Sequence, residues 1–123
     1  ELTISSIQKL RVNYNSGNLR ERLKKHHKDI DKTFNGWVNV WLDDKFSKWN
    51  IESFLPRIKV PQLIIQGNDD EYGTLKQVET IVSHSVGSVK TCLLDNCGHS
   101  PHRDQQSKTL EVMTQFVRNL LVN

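Results

Sequence analysis

The stretch from Val60 to Thr74, VPQLIIQGNDDEYGT, decides how this chain is read. Pro61 is tolerated at the first residue of a strand, Leu63-Ile64-Ile65 is a short continuous apolar run, and Gly67 ends it, the pattern of a strand buried on both faces. A polar loop, Gly67 to Thr74, follows at once. Thr74 and Gln77 have capping-box spacing, and Leu75, Val78, Ile81, Val82 and Val86 fall on one helical face. Val89 to Leu94 then reads as a second strand, running into a second polar cluster, NCGHSPH, at 96–102. Leu110, Met113, Val117, Leu120 and Leu121 stripe a final helix. Strand, helix, strand, helix is the alternation that builds a parallel sheet with helices on its faces. Two strands cannot complete such a sheet, because a parallel pair needs cover on both faces and neighbours at its edges.

Toward the N-terminus the texture changes near Arg57 to Val60, and residues 1–59 read as helices alone. Ile4, Ile7 and Leu10 begin one stripe, and Asn18 followed by Glu21 resembles a capping arrangement for a second helix. Phe34, Trp37, Val38, Trp41 and Leu42 keep helical spacing in a third. Asn35-Gly36 is a weak spot in that helix rather than a hairpin turn, since its flanks repeat at about 3.6 residues. Phe46, Trp49, Ile51, Phe54 and Leu55 form an aromatic and apolar cluster leading to Pro56.

In doubly wound sheets reactive groups gather beyond the carboxyl ends of the strands. Both strands here end in polar loops, which puts a carboxylate and an imidazole on one edge of the sheet, 29 positions apart. VPQLIIQGNDDEYGT followed by NCGHSPH resembles the C-terminal signature of the α/β-hydrolase family, with the acid in a strand-Gly-x-x-Asp loop and the histidine in a Gly-His loop. Leu19 to Ile58, with its histidine pair, FNGW, WL and WNIESFLPRI, is similar to the helical cap of many such enzymes. The resemblance implies an α/β chain with a partial α/β-hydrolase fold: a cap segment at 1–59 and a C-terminal β-α-β-α portion of the core at 60–123. Carried over by position, Asp70 is the catalytic acid and His99 the catalytic base. The family order of serine, acid, histidine is respected, but no G-x-S-x-G segment occurs among the 123 residues. Ser16, Ser85 and Ser88 lie near glycines without the required flanks, and the oxyanion-hole loop is also missing. The expected function is therefore that of a C-terminal fragment of a serine hydrolase, acting on an ester, thioester, amide or activated carbon–carbon bond in its intact parent and inactive alone. The alternative is a noncatalytic association module that dimerises through its unfilled sheet edge or its cap.

The chemistry needs these two groups together. A serine hydroxyl is a poor nucleophile until an imidazole within ~2.6–3.2 Å accepts its proton. The carboxylate fixes the tautomer through the Nδ1 proton and stabilises the imidazolium without taking the proton itself. On residue type alone, Asp69 or Glu71 can replace Asp70, and Asp70 can be a carboxylate favoured by the next helix's positive end. His99 can instead serve a tight turn, and His102 reads as a surface or supporting group. A rival constellation is a zinc site from Cys97, His99, His102 and Asp104, with His84 a remote fifth candidate. His26 and His27 read as solvated, and Trp37, Trp41 and Trp49 as cap core or substrate wall.

Composition narrows the rest. The length of 123 residues suits one modest domain, and 36% apolar residues do not make the chain apolar-rich. The net charge of +3 is spread along the chain. Its densest basic run, RERLKKHHK at 20–28, has a buried side in Leu19, Leu23 and Ile30, so it reads as a solvated helix face and not as a nucleic-acid or membrane surface. Two cysteines cannot staple a scaffold, which with the lack of a signal-peptide pattern suggests a reduced, cytoplasmic setting. No apolar stretch approaches the ~20 residues of a membrane span. An initial Glu suggests a processed or excised chain. The expected partners are a small-molecule substrate in the intact parent and either the missing N-terminal half or a second copy; no cofactor and no metal are implied.

Overall fold

A computed structural model describes residues 2–122, and its contacts divide the chain into two compact units, 1–50 and 51–123. Each is described by itself.

The first unit holds three helices, α1 (Leu2–Ser16), α2 (Leu19–Lys24) and α3 (Ile30–Trp41), followed by a 3-10 turn at Phe46–Lys48. Its core is Ile7 and Tyr14 from α1 with Ile30, Phe34 and Val38 from α3. The last three are spaced by four residues, so they lie on one helical face. The rings of Tyr14 and Phe34 stack at 3.7 Å between centroids, tilted by only 5°. Asp29 caps α3 by accepting a hydrogen bond from the Lys32 amide at 3.0 Å, satisfying one of the donors that every helix start leaves open. Asp31 receives Arg20 through two nitrogens, Nε at 2.8 Å and Nη2 at 2.6 Å, and the Tyr14 hydroxyl at 2.7 Å. These donors, led by Arg20, hold its carboxyl far below the usual carboxylate range.

Some sequence expectations change here, while the continuity of α3 and the solvated histidine pair stand as read. Asn18 stands at the start of α2 but makes no side-chain cap bond. The segment beyond Trp41 is not a regular helix, because Phe46, Trp49 and Trp41 pack ring on ring, with Phe46 and Trp49 stacked 5.2 Å apart. Trp37 and Trp49 are exposed, so neither is core. Helix α3 passes through Gly36 without a break. His26 and His27 face solvent.

The second unit opens with a 3-10 turn at Glu52–Arg57 and continues β1 (Gln62–Gly67), α4 (Leu75–His84), β2 (Val89–Leu94), α5 (Pro101–Asp104) and α6 (Gln106–Val122). Because α4 packs on the 52–57 turn, this unit begins ahead of the change in sequence texture. The strands pair in parallel, Gln62 against Val89 through to Gly67 against Leu94, so they end level with one another. This level ending positions the site: the loops after Gly67 and Leu94 leave the sheet side by side. Thr74 precedes α4 as expected but makes no side-chain cap bond.

Burial departs most from the sequence reading. β1 is half-buried along most of its length instead of covered on both faces, and only its last two residues are fully buried. The stripe of α6 is exposed at Leu110, Met113, Val117, Leu120 and Leu121, and the buried residue of that helix is Thr109, whose hydroxyl donates to the Pro101 carbonyl at 3.0 Å. Two strands and three helices do not supply enough surface to cover what the pattern marks as apolar. Among the described residues, no helix is long and apolar enough to cross a membrane.

Candidate active site

The site is built at the paired strand ends. Asn68 continues the ladder by one bond, its amide donating to the Leu94 carbonyl at 2.9 Å, and the Asp69 amide donates to the Cys97 carbonyl at 2.9 Å. Gly67 is required because of proximity. A Cβ there would overlap the carbonyl oxygens of Cys97 and Gly98, so the second loop can fold over the first only where a side chain is missing. Asn96 turns the chain after β2 with φ of 51°, a left-handed conformation that asparagine tolerates better than most residues. The Gly98 amide then donates to Asp104 Oδ2 at 3.1 Å, tying the turn to α5.

These turns bring Asp70 and His99 together. His99 Nδ1 lies 3.0 Å from Asp70 Oδ1 and 3.1 Å from Oδ2. Asp70 Oδ1 also accepts the amides of Tyr72 at 2.8 Å and Gly73 at 3.0 Å. The two side chains differ in exposure: Asp70 is 10% exposed and His99 58%. Burial pushes the Asp70 carboxyl up, but the Tyr72 and Gly73 amides and the His99 ring outweigh it and hold the group below its ordinary value. The Tyr72 ring packs against the imidazole, 5.0 Å between centroids and tilted by 66°.

No family model and no solved structure matches the chain. It is distantly similar to monoacylglycerol lipases. Monoacylglycerol lipase ABHD6 of Homo sapiens is 27% identical over 74 residues, covering 60% of this chain and 22% of that protein. Monoacylglycerol lipase abhd6-B of Xenopus laevis is 29% identical over 82 residues, covering 64% and 23%. The chain thus spans less than a quarter of the length of the curated relatives it matches.

The remaining candidates fall away from the pair. The Asp69 side chain is exposed, and Glu71 is exposed beside it; the carboxylate on His99 Nδ1 is that of Asp70. His102 lies exposed within the short helix α5. Cys97 is 1% exposed, and burial together with the charges of Asp104, Asp69 and Asp70 pushes its thiol up. His84 turns Nδ1 to the Thr80 carbonyl of its own helix at 2.9 Å. Among the described residues no three His, Cys, Asp or Glu side chains are grouped to hold a metal ion, so the zinc constellation is not assembled. Tyr72 is missing from the sequence reading, and Asp104 stands there only as a rival zinc ligand, not as the acceptor that ties the Gly98 turn to α5. Asp104 carries a readable signal, for Ser100-Pro101 begins a helix with proline at its first position. Tyr72 carries none, because its ring contact depends on how two loops meet.

The Asp70 shift has a consequence for acid stability. With a folded value below the unfolded value of ~3.9, the contribution of Asp70 is fully present above that unfolded value and is lost as the pH falls through the folded one. Acid unfolding of residues 51–123 is expected to set in below about pH 4, and Asp70→Asn to flatten that limb of the curve. Circular dichroism against pH checks it; identical acid limbs in the two proteins contradict the pairing.

Proposed function

We propose that this chain is the acid-and-histidine part of a serine hydrolase of the α/β-hydrolase family. One observation carries the reading: Asp70 and His99 meet at the tips of adjacent parallel strands, the carboxylate on Nδ1, which leaves Nε2 to act on a nucleophile. Asp70 accepts a hydrogen bond from Nδ1–H and fixes the tautomer; Nε2 takes the proton of a serine hydroxyl as its oxygen attacks the substrate carbonyl, then gives it to the departing group. The serine comes from a G-x-S-x-G segment outside these 123 residues, so the chain alone is inactive. Residues 1–59 play the part of the family's cap. The substrate is an ester, thioester, amide or activated carbon–carbon bond of a small, partly apolar molecule. The distant similarity to monoacylglycerol lipases supports the family and favours an acyl ester. A fluorophosphonate probe, which esterifies activated serines, tests it: a longer polypeptide that joins this sequence to such a segment becomes labelled and the 123-residue chain does not. Failure of the longer protein to label overturns the reading.

A second reading is favoured by the exposed apolar stripe of α6 and by a sheet that, among the described residues, has two strands, each with an outer edge beside which no further strand lies. On it the chain associates with a second copy without catalysing anything. Light scattering distinguishes the two: a dimer that persists on dilution supports association, and a monomer removes it.

A further inference from the structure

We propose that Tyr72 is a positioning residue that holds the His99 imidazole in the plane in which Nδ1 meets Asp70. The proposal rests on the hydrolase reading of the pair and adds a residue that acts through His99.

The two partners are held unequally. Asp70 is nearly buried, with two backbone amides on one oxygen, so its position is fixed before the imidazole is considered. His99 is 58% exposed. The final torsion of a histidine side chain is broad, so a ring held at one nitrogen can swing out of the plane in which Nδ1 meets the carboxylate. Tyr72 supplies the second point of contact. Its ring lies 5.0 Å from the imidazole centroid at 66°, the tilted edge-to-face arrangement that aromatic pairs favour. The same residue's amide donates to Asp70 Oδ1 at 2.8 Å. One residue thus sets acid and base against each other, the main chain holding the carboxylate and the side chain holding the ring. The phenol oxygen is not needed for this; the ring is.

The test uses the 123-residue chain labelled with 15N. In the unmodified chain, neutral His99 is expected in the Nδ1–H tautomer, with nuclear Overhauser contacts between the Tyr72 ring protons and the imidazole protons. Tyr72→Phe keeps the tautomer. Tyr72→Leu keeps the amide bond to Asp70 but lowers the ratio of Nδ1–H to Nε2–H tautomer by about 2- to 10-fold. A Tyr72→Leu chain with unchanged Asp70 to Gly73 amide signals and the original tautomer ratio overturns the proposal. So does absence of the ring contacts in the unmodified chain, a measurement that needs no variant to fold. Because the readout requires no turnover, it separates from the hydrolase reading: an unlabelled longer protein with the Tyr72 effect intact sinks only the hydrolysis, and a labelled one without the effect sinks only the role of Tyr72.

Discussion

His99→Ala in a longer, active protein that carries this sequence is expected to lower kcat by at least ~10^4-fold with little change in KM, because on the proposed function the imidazole moves the proton in the transition state and contributes little to holding the substrate. Asp70→Asn is expected to cost about 10^4-fold in the same parameter. The asparagine keeps the shape of the carboxylate and can still face Nδ1 at the observed 3.0 Å, but it removes the charge that stabilises the imidazolium. Its amide nitrogen also offers a hydrogen where Nδ1 needs an acceptor. The comparison with Asp69→Asn matters most, since that side chain is exposed and off the imidazole and its loss is expected to leave kcat within about two-fold. Steady-state rates on a chromogenic acyl ester measure all three. A large loss at Asp69 with little at Asp70 reverses the assignment.

Gly67→Ala is the second large effect, and it falls on folding. The new Cβ has no room against the Cys97 and Gly98 carbonyl oxygens, and backbone groups cannot rotate aside as a flexible side-chain end does. The loop carrying His99 must lift away from the strand end, at a cost of about 3 kcal/mol or more, the upper part of the range for overpacking. Gly36→Ala supplies the contrast. There a Cβ meets open space in the middle of α3, and replacing a mid-helix glycine is expected to stabilise by ~0.5–1 kcal/mol. The same chemical change thus carries opposite signs at the two positions. Denaturant midpoints followed at residues of each unit decide it; a Gly67→Ala protein as stable as the parent contradicts the packing of the two loops.

The parts of the fold set by local period and by turn chemistry were legible from sequence. Leu63-Ile64-Ile65 ended by Gly67, and the facing stripe of α4, place the strand, loop and helix, and β2 follows from Val89 to Leu94. The Asp70 and His99 loops were readable because each strand stops in a Gly-containing polar cluster, and parallel pairing with level ends makes such clusters neighbours. Burial was not legible. The spacing of Leu110, Met113 and Val117 reports a face that favours contact with something, and only the tertiary structure says whether these 123 residues provide it. Caps were half legible: Asn18 and Thr74 mark the starts of helices without bonding to them, while Asp29, which does bond, has Lys32 where a capping box has Glu or Gln. The stretch from Leu42 to Arg57 misled because aromatic spacing there serves ring-on-ring packing and 3-10 turns instead of an α-helical face.

That Asp70 works through His99 is tested most directly by the Asp70→Asn/His99→Ala double variant, with kcat measured beside both single variants. Residues that act as one unit are not additive, so the double variant is predicted to be no slower than His99→Ala alone, the carboxylate having nothing left to orient. A double variant slower by the product of the two single losses contradicts the account, for it requires Asp70 to act on the reaction by a route that does not pass through the imidazole.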